Sequence, residues 1–374
     1  MIKRRHIVLG SAGLLAAPAL IRSGWAQDSS AAAVLADAKG SIATAAAPAS
    51  TWTGPTSGPK AQKGKKIVYI SSDQRNGGAL GVGKGVEEAA KAIGWDFKII
   101  DGQGSVPMQT SGVGQAIAQR PDGIILGTID AVGQKATLVQ ATQLGIKVVG
   151  WHASAAPGPI EDPAVFANIT TPPKQIALTA ANYAIAMSDG KAQVAIMRNS
   201  ETAIGRLKGD TIRERIEQCS TCKVLSFNIM PITESSERMP ALTSSLLQRF
   251  PGQLNWMLAI NDLYFDFAVP SLRSANIPVA GSISLVSAGD GSVSAYQRIR
   301  VGQYQVATVP EPLNLHGWMA VDELNRAFSG DKWSGYVPGV HLVTKDNVGK
   351  DGGPQNRFDP DNKYRDEYRK IWGV

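Results

Sequence analysis

The residues with chemistry to offer stand in short polar runs, each directly behind an apolar stretch. Ser71-Ser72-Asp73-Gln74-Arg75-Asn76 follows Ile67-Val68-Tyr69-Ile70, and Gly127-Thr128-Ile129-Asp130 follows Gly123-Ile124-Ile125-Leu126. Trp151-His152 follows Ile146 to Gly150, and Asn261-Asp262 follows Trp256-Met257-Leu258-Ala259. Asn199 and Asp290 hold similar places. Carboxylates accept hydrogen bonds, amides donate and accept, and cations donate, so the set suits non-covalent recognition of a ligand rich in hydroxyls. Covalent catalysis is poorly served, since the chain has no G-x-S-x-G elbow. His152, His316 and His341 lack metal-binding spacing, so no metal is expected. The two cysteines, Cys219 and Cys222, form a C-x-x-C pair without further N or S ligands close by in sequence. The pair follows a helical stretch and precedes the strand Val224 to Phe227, unlike a redox dithiol at a first strand-to-helix turn, and reads as a small disulfide clip.

Each candidate also has a plain structural role open to it. Asn76 and Asn261 suit helix caps, Asp290 before Gly291 suits a turn, and Trp151 suits core packing as well as stacking on a ring. Asp262 reads as a carboxylate at a helix N-terminus. The run Gly77-Gly78-Ala79-Leu80-Gly81-Val82-Gly83-Lys84-Gly85 imitates a phosphate loop, but Gly85 stands where a magnesium-binding hydroxyl belongs. Its third dinucleotide glycine is also replaced, by Val86, so the run is assigned to close helix-to-sheet packing.

Elements that position these residues follow from periodicity. Short apolar runs alternate with helical patterns: Val82 to Ile93, Gln109 to Ala118 and Ala131 to Leu144 in a first series. After Pro172-Pro173 come Gln175 to Met187, Gly205 to Glu217, Met239 to Arg249 and Asp262 to Arg273 in a second, with Val279-Ala280-Gly281 as a further strand. Strand and helix alternating at this spacing give an α/β protein of two similar lobes, each a parallel sheet flanked by helices. Ligands in such sheets bind beyond the carboxyl ends of the strands, which is where the polar runs fall.

The N-terminus places this work outside the cytoplasm. Lys3-Arg4-Arg5, an apolar stretch Ile7 to Ile21 and Gly24-Trp25-Ala26 together read as a cleavable signal peptide over residues 1–26, too short to span a bilayer. Arg4-Arg5 resembles a twin-arginine signal, although Lys3 replaces the usual Ser or Thr. Cleavage removes four cations and no acid, so the formal charge falls by four from +7 to +3. That near-balance, with no basic run interleaved with aromatics, excludes nucleic acid as a partner.

At the strand ends the chain resembles the periplasmic sugar-binding proteins of the ribose-binding type, the solute-binding subunits of ABC importers. Gly123 to Ala131 looks like the family's third strand and turn, with Asp130 at its end. Ala259-Ile260-Asn261-Asp262 looks like its strand-end Asn-Asp, Ala288-Gly289-Asp290-Gly291 like its Asp turn, and Ala307 to Pro312 like the strand returning between lobes. The resemblance implies a type I periplasmic binding protein with a three-crossing hinge near 168–171, 311–313 and 342–345. It implies ligand contacts from the loop Asp73 to Asn76, and from Asn261, Asp290 and Glu311, with a cation from Lys208 or Arg206. Trp151-His152 replaces the family's usual Asp-Arg pair.

The implied organisation is a leader over 1–26, an extension outside the main fold over 27–64, a first lobe from 65–170 plus 312–342, and a second lobe with the tail from 171–311 plus 343–374. The implied function is periplasmic capture of a monosaccharide or polyol by a monomer for an inner-membrane ABC permease, without a cofactor. A sensory subunit for a membrane receptor and a periplasmic hydrolase are the alternatives.

Overall fold

A computed structural model describes residues 23–374, so the basic start and apolar stretch of the expected signal peptide lie outside the described residues. After helix α1 (Ser23–Ala45) the chain runs β1 (Lys66–Ser71), α2 (Gly77–Ile93), β2 (Asp96–Asp101), α3 (Val106–Ala118), β3 (Gly123–Gly127), α4 (Lys135–Gln143), β4 (Lys147–Trp151), β5 (Gly158–Ile160) and β6 (Val165–Ile169). The second series is α5 (Pro173–Met187), β7 (Gln193–Arg198), α6 (Ala203–Gln218), β8 (Lys223–Ile229), α7 (Ser235–Arg249), β9 (Trp256–Ala259), α8 (Leu263–Ser274), β10 (Ser284–Ser287), α9 (Val293–Val301) and β11 (Gln305–Thr308). Helix α10 (Leu313–Ser329), β12 (Val343–Thr344), α11 (Val348–Asp351) and α12 (Tyr364–Trp372) complete it.

Two six-stranded sheets result, ordered β2-β1-β3-β4-β6-β5 and β12-β11-β10-β9-β7-β8. All pairs are parallel except the edge pairs β5·β6 and β11·β12. A parallel sheet needs cover on both faces, and β1 shows how the sequence provides for it. Its Ile67 and Tyr69 enter the core shared with α2 and α10, while the alternate Val68 and Ile70 enter the opposite core with α3 and α4. In each sheet the strand order reverses beside the first strand of its series, opening a crevice at the carboxyl ends. The polar runs sit there. The chain passes between lobes from β6 to α5, from β11 to α10, which packs on α2 and β4, and again from α10 to β12.

Three expectations need correction. Val279-Ala280-Gly281 is loop, with Val279 46% exposed, and the strand is Ser284–Ser287, whose Leu285 and Val286 are buried. The extension does not lie outside the fold: Ala38 and Ala45 of α1 enter the second lobe's core, and Trp52 packs on the first lobe's. The tail, grouped above with the second lobe, ends as α12 on the first. Trp372 stacks on Trp318 of α10 at 5.3 Å and 3° and donates to Asp322 Oδ1 at 2.8 Å.

The glycine run works chiefly between helices. Gly83 lies against Tyr69 of the sheet, but a Cβ on Gly85 would stand 2.6 Å from the Asn314 carbonyl oxygen, and one on Gly317 would overlap the Gly85 and Val86 backbone. Helices α2 and α10 therefore cross with their backbones in contact. Gly317→Val should cost about 1–3 kcal/mol in urea unfolding, because neither backbone can yield. Gly114→Ala, where the added methyl meets open space, should cost nothing.

Candidate functional site

Strand ends from both lobes converge on a buried polar cluster. His152 turns away from β4 in the left-handed region, with φ 56°, and its ring stacks on Trp151 at 3.9 Å and 17°. Its Nε2 stands 2.8 Å from Glu311 Oε1 on the segment joining β11 to α10. Neither atom has an aligned hydrogen bond, although both are buried. Lys208 Nζ on α6 lies 3.6 Å from the same carboxylate oxygen. The Thr171 amide donates to Glu311 Oε2 at 3.0 Å, so one carboxylate ties two inter-lobe segments together. Burial pushes the Glu311 carboxyl up, but His152 and Lys208 beside it more than reverse this and hold it well below the usual carboxylate range.

Asp290 enters from the turn after β10. Its carboxylate packs against Gly78 of the first lobe, and Oδ2 accepts from Asn261 Nδ2 at 2.7 Å. Burial raises its pKa, opposed by Lys208 and His152. Asp262 holds this turn in place. Its Oδ2 accepts from the Gly291 and Ser292 amides at 2.9 and 3.2 Å, and Oδ1 from Gln305 Nε2 at 2.8 Å. It makes no cap bond to α8, contrary to the reading above, and burial pushes its pKa up to about 6.

Trp151 is fully buried and packs in the first lobe's core behind His152, so the imidazole is the group that reaches the other site residues. Its indole Nε1 donates to His316 Nδ1 at 3.0 Å. That bond places any single ring proton of His316 on Nε2, which faces Thr171 Oγ1 at 3.5 Å. Burial lowers the His316 pKa to about 4, so the ring is neutral near pH 7. His316 supports Trp151, Thr171 and Glu311 from behind the cluster. One solitary histidine in an apolar helix gives no sequence signal for such a role.

Beside the cluster, a cleft of about 470 Å³ opens between the lobes, lined by Asp73, Asn76, Asp130 and Arg206, with Thr128 and Asn199. Asp73 pairs with Arg75 at 2.9 Å. Asn76 Oδ1 caps α2 by accepting from the Gly78 amide at 2.9 Å, and Asp130 accepts from the Val132 amide at 3.0 Å. Asn76 thus caps its helix while lining the cleft. Arg206 is exposed on the cleft rim and donates to the Ser200 carbonyl, whereas Lys208 is buried in the cluster. Two residues apart on one helix, they cannot face the same way.

A ring nitrogen of His152 and carboxylate oxygens of Asp290 and Glu311 lie within 4.8 Å of one another, a spacing that could hold a cation. The Lys208 ammonium already supplies positive charge there. Cys219 and Cys222 are joined in a disulfide, Cα–Cα 5.3 Å, between α6 and β8.

A profile described as a periplasmic binding protein domain matches residues 67–332. No curated protein matches the sequence. Among solved structures, a sugar ABC transporter protein from Yersinia enterocolitica aligns with TM-score 0.68 at 16% identity, over 80% of this chain and 90% of its own. The arabinose-binding component from Shewanella sp. ANA-3 aligns at 0.65 and 18%, over 82% and 95%. A solute-binding protein from Mycobacterium smegmatis with bound glycerol aligns at 0.68 and 19%, over 79% and 99%.

Proposed function

Because the chain belongs to the periplasmic binding protein family, we propose that it captures a monosaccharide or polyol between its lobes and delivers it to an inner-membrane ABC permease. The observation that carries this reading is the buried polar set His152, Lys208, Asn261, Asp290 and Glu311, drawn from both lobes and lying beside the inter-lobe cleft. Hydroxyls both donate and accept, so a polyol can accept from the imidazole or ammonium and donate to the carboxylates. Arabinose and glycerol, named for two of the aligned structures, are ligands of this class.

The same reading makes the protein a non-catalytic monomer, exported by its leader to the periplasm. Its first lobe comprises 65–170 plus 312–339, joined by the tail helix, and its second 171–311 plus 340–358, since Val340 and Leu342 pack in the second lobe's core. The primary site residues are His152, Lys208, Asn261, Asp290 and Glu311, with Asp73, Asn76, Asp130 and Arg206 bordering the cleft and Trp151 and His316 behind.

A thermal-shift panel of pentoses, hexoses, glycerol and linear polyols selects the ligand, because one that binds only the folded state raises the melting temperature. Calorimetry on the best hit should then show Asp290→Ala weakening Kd about tenfold to a hundredfold with the fold intact, since its loss strands ligand donors in a closed site. The hit should be recovered unchanged after prolonged incubation. No shift with any panel member, or a consumed sugar, would overturn the reading.

A further inference from the structure

Both ends of the chain cross between the lobes. Helix α1 is held on the second lobe: Asn182 Nδ2 donates to Ser41 Oγ at 3.1 Å, Arg215 pairs with Asp37, and the Leu342 amide donates to the Ala45 carbonyl at 2.8 Å. Seven residues after Ala45, Trp52 is held on the first lobe, between Tyr336 at 5.1 Å and Tyr368 at 5.5 Å. The chain stays fastened there. Arg326 Nη2 donates to the Ser57 carbonyl at 2.8 Å, Asn325 Nδ2 to the Pro59 carbonyl at 3.0 Å, and the Gln62 amide to Asn325 Oδ1 at 2.9 Å.

The other end crosses in the same direction, from the second lobe to the first. Phe358 belongs to the second lobe, stacked on His341 at 4.3 Å and clustered with Tyr296 and Ile299 of α9. Six residues later Tyr364 belongs to the first, accepting from Asn314 Nδ2 at 3.0 Å. The two segments then join, the Ala61 amide donating to the Trp372 carbonyl at 3.0 Å.

We propose that these terminal segments form a clasp that limits how far the lobes separate. Three crossings form the hinge, and the clasp adds two covalent spans of fixed reach. Residues 47–51 are exposed and free of lobe anchors, and the seven residue steps from Ala45 to Trp52 extend at most about 25 Å. Opening that would carry Ala45 farther than this from Trp52 must first tear one anchor loose. The clasp depends on the fold alone and holds whatever the ligand is.

The test lengthens the spans without removing an anchor. Ten Gly/Ser residues are inserted after Ala49, in a second variant also after Asp361, and as a control after Gly252, an exposed turn within the second lobe. Small-angle scattering of the unliganded proteins should give a larger radius of gyration for the doubly lengthened variant than for wild type or control. Amide exchange at 289–292, where Asp290 meets the first lobe, should also be faster. An unchanged radius and unchanged exchange in the doubly lengthened variant would overturn the proposal.

Discussion

Glu311→Leu should cost about 3–5 kcal/mol of stability, the usual penalty for removing one partner of a buried ion pair. The carboxylate is fully buried and faces His152 at 2.8 Å and Lys208 at 3.6 Å. Leucine would leave the Lys208 ammonium short of a counter-charge and the Thr171 amide, now bonded at 3.0 Å, without an acceptor. Chemical unfolding followed by circular dichroism measures the loss. A double variant carrying Lys208→Met as well should recover much of it, because the uncompensated charge goes with the lysine. Equal losses in the single and double variants would show that Glu311 acts through packing alone. Since the Glu311 carboxyl is held low, its contribution is complete above the ordinary carboxylate range and fades as pH falls below it.

Glu323→Gln should abolish a pH dependence of the opposite sign. Glu323 on α10 is 1% exposed and accepts from the Ser334 amide at 3.2 Å. Burial raises its pKa to about 8, with Asp322 adding to the rise against the Ser334 hydrogen bond. A group raised in the folded state stabilises fully below its unfolded pKa, and the benefit is lost as pH climbs through the folded value. The wild type should therefore lose about 3–5 kcal/mol from this residue between pH 4.5 and 8, at 1.36 kcal/mol per unit. Glutamine stays neutral and still accepts from Ser334, so the variant should show a flatter profile and the higher melting temperature at pH 8.5. Parallel profiles for the two proteins over that window would refute the assignment.

The parts legible in sequence were those that a single strand or helix writes into its own residues. Apolar runs such as Ile67 to Ile70 announced their strands, and the polar residues behind them announced the cleft, because in a parallel sheet the strand ends decide where a ligand can sit. The backbone turn at His152 was not legible. Two aromatic residues in succession gave no sign that one would stay in the core and the other, at positive φ, would turn back toward Glu311. Lys208 and Arg206 are equivalent in sequence, and only the phase of α6 separates them. His316 was invisible for a different reason: its partners Trp151 and Thr171 are each about 150 residues away. The anchoring of both chain ends was hidden likewise, since Ala-rich and Pro-rich stretches carry no pattern that names a distant docking face.

The stacking of Trp372 on Trp318 has an optical consequence. Two indoles at 5.3 Å are close enough for their ultraviolet transitions to interact, so the near-ultraviolet circular-dichroism band should change when α12 leaves α10. That change would serve as a gauge of the docked tail helix. A titration or temperature ramp read at that band would follow release of the tail separately from global melting, without any label.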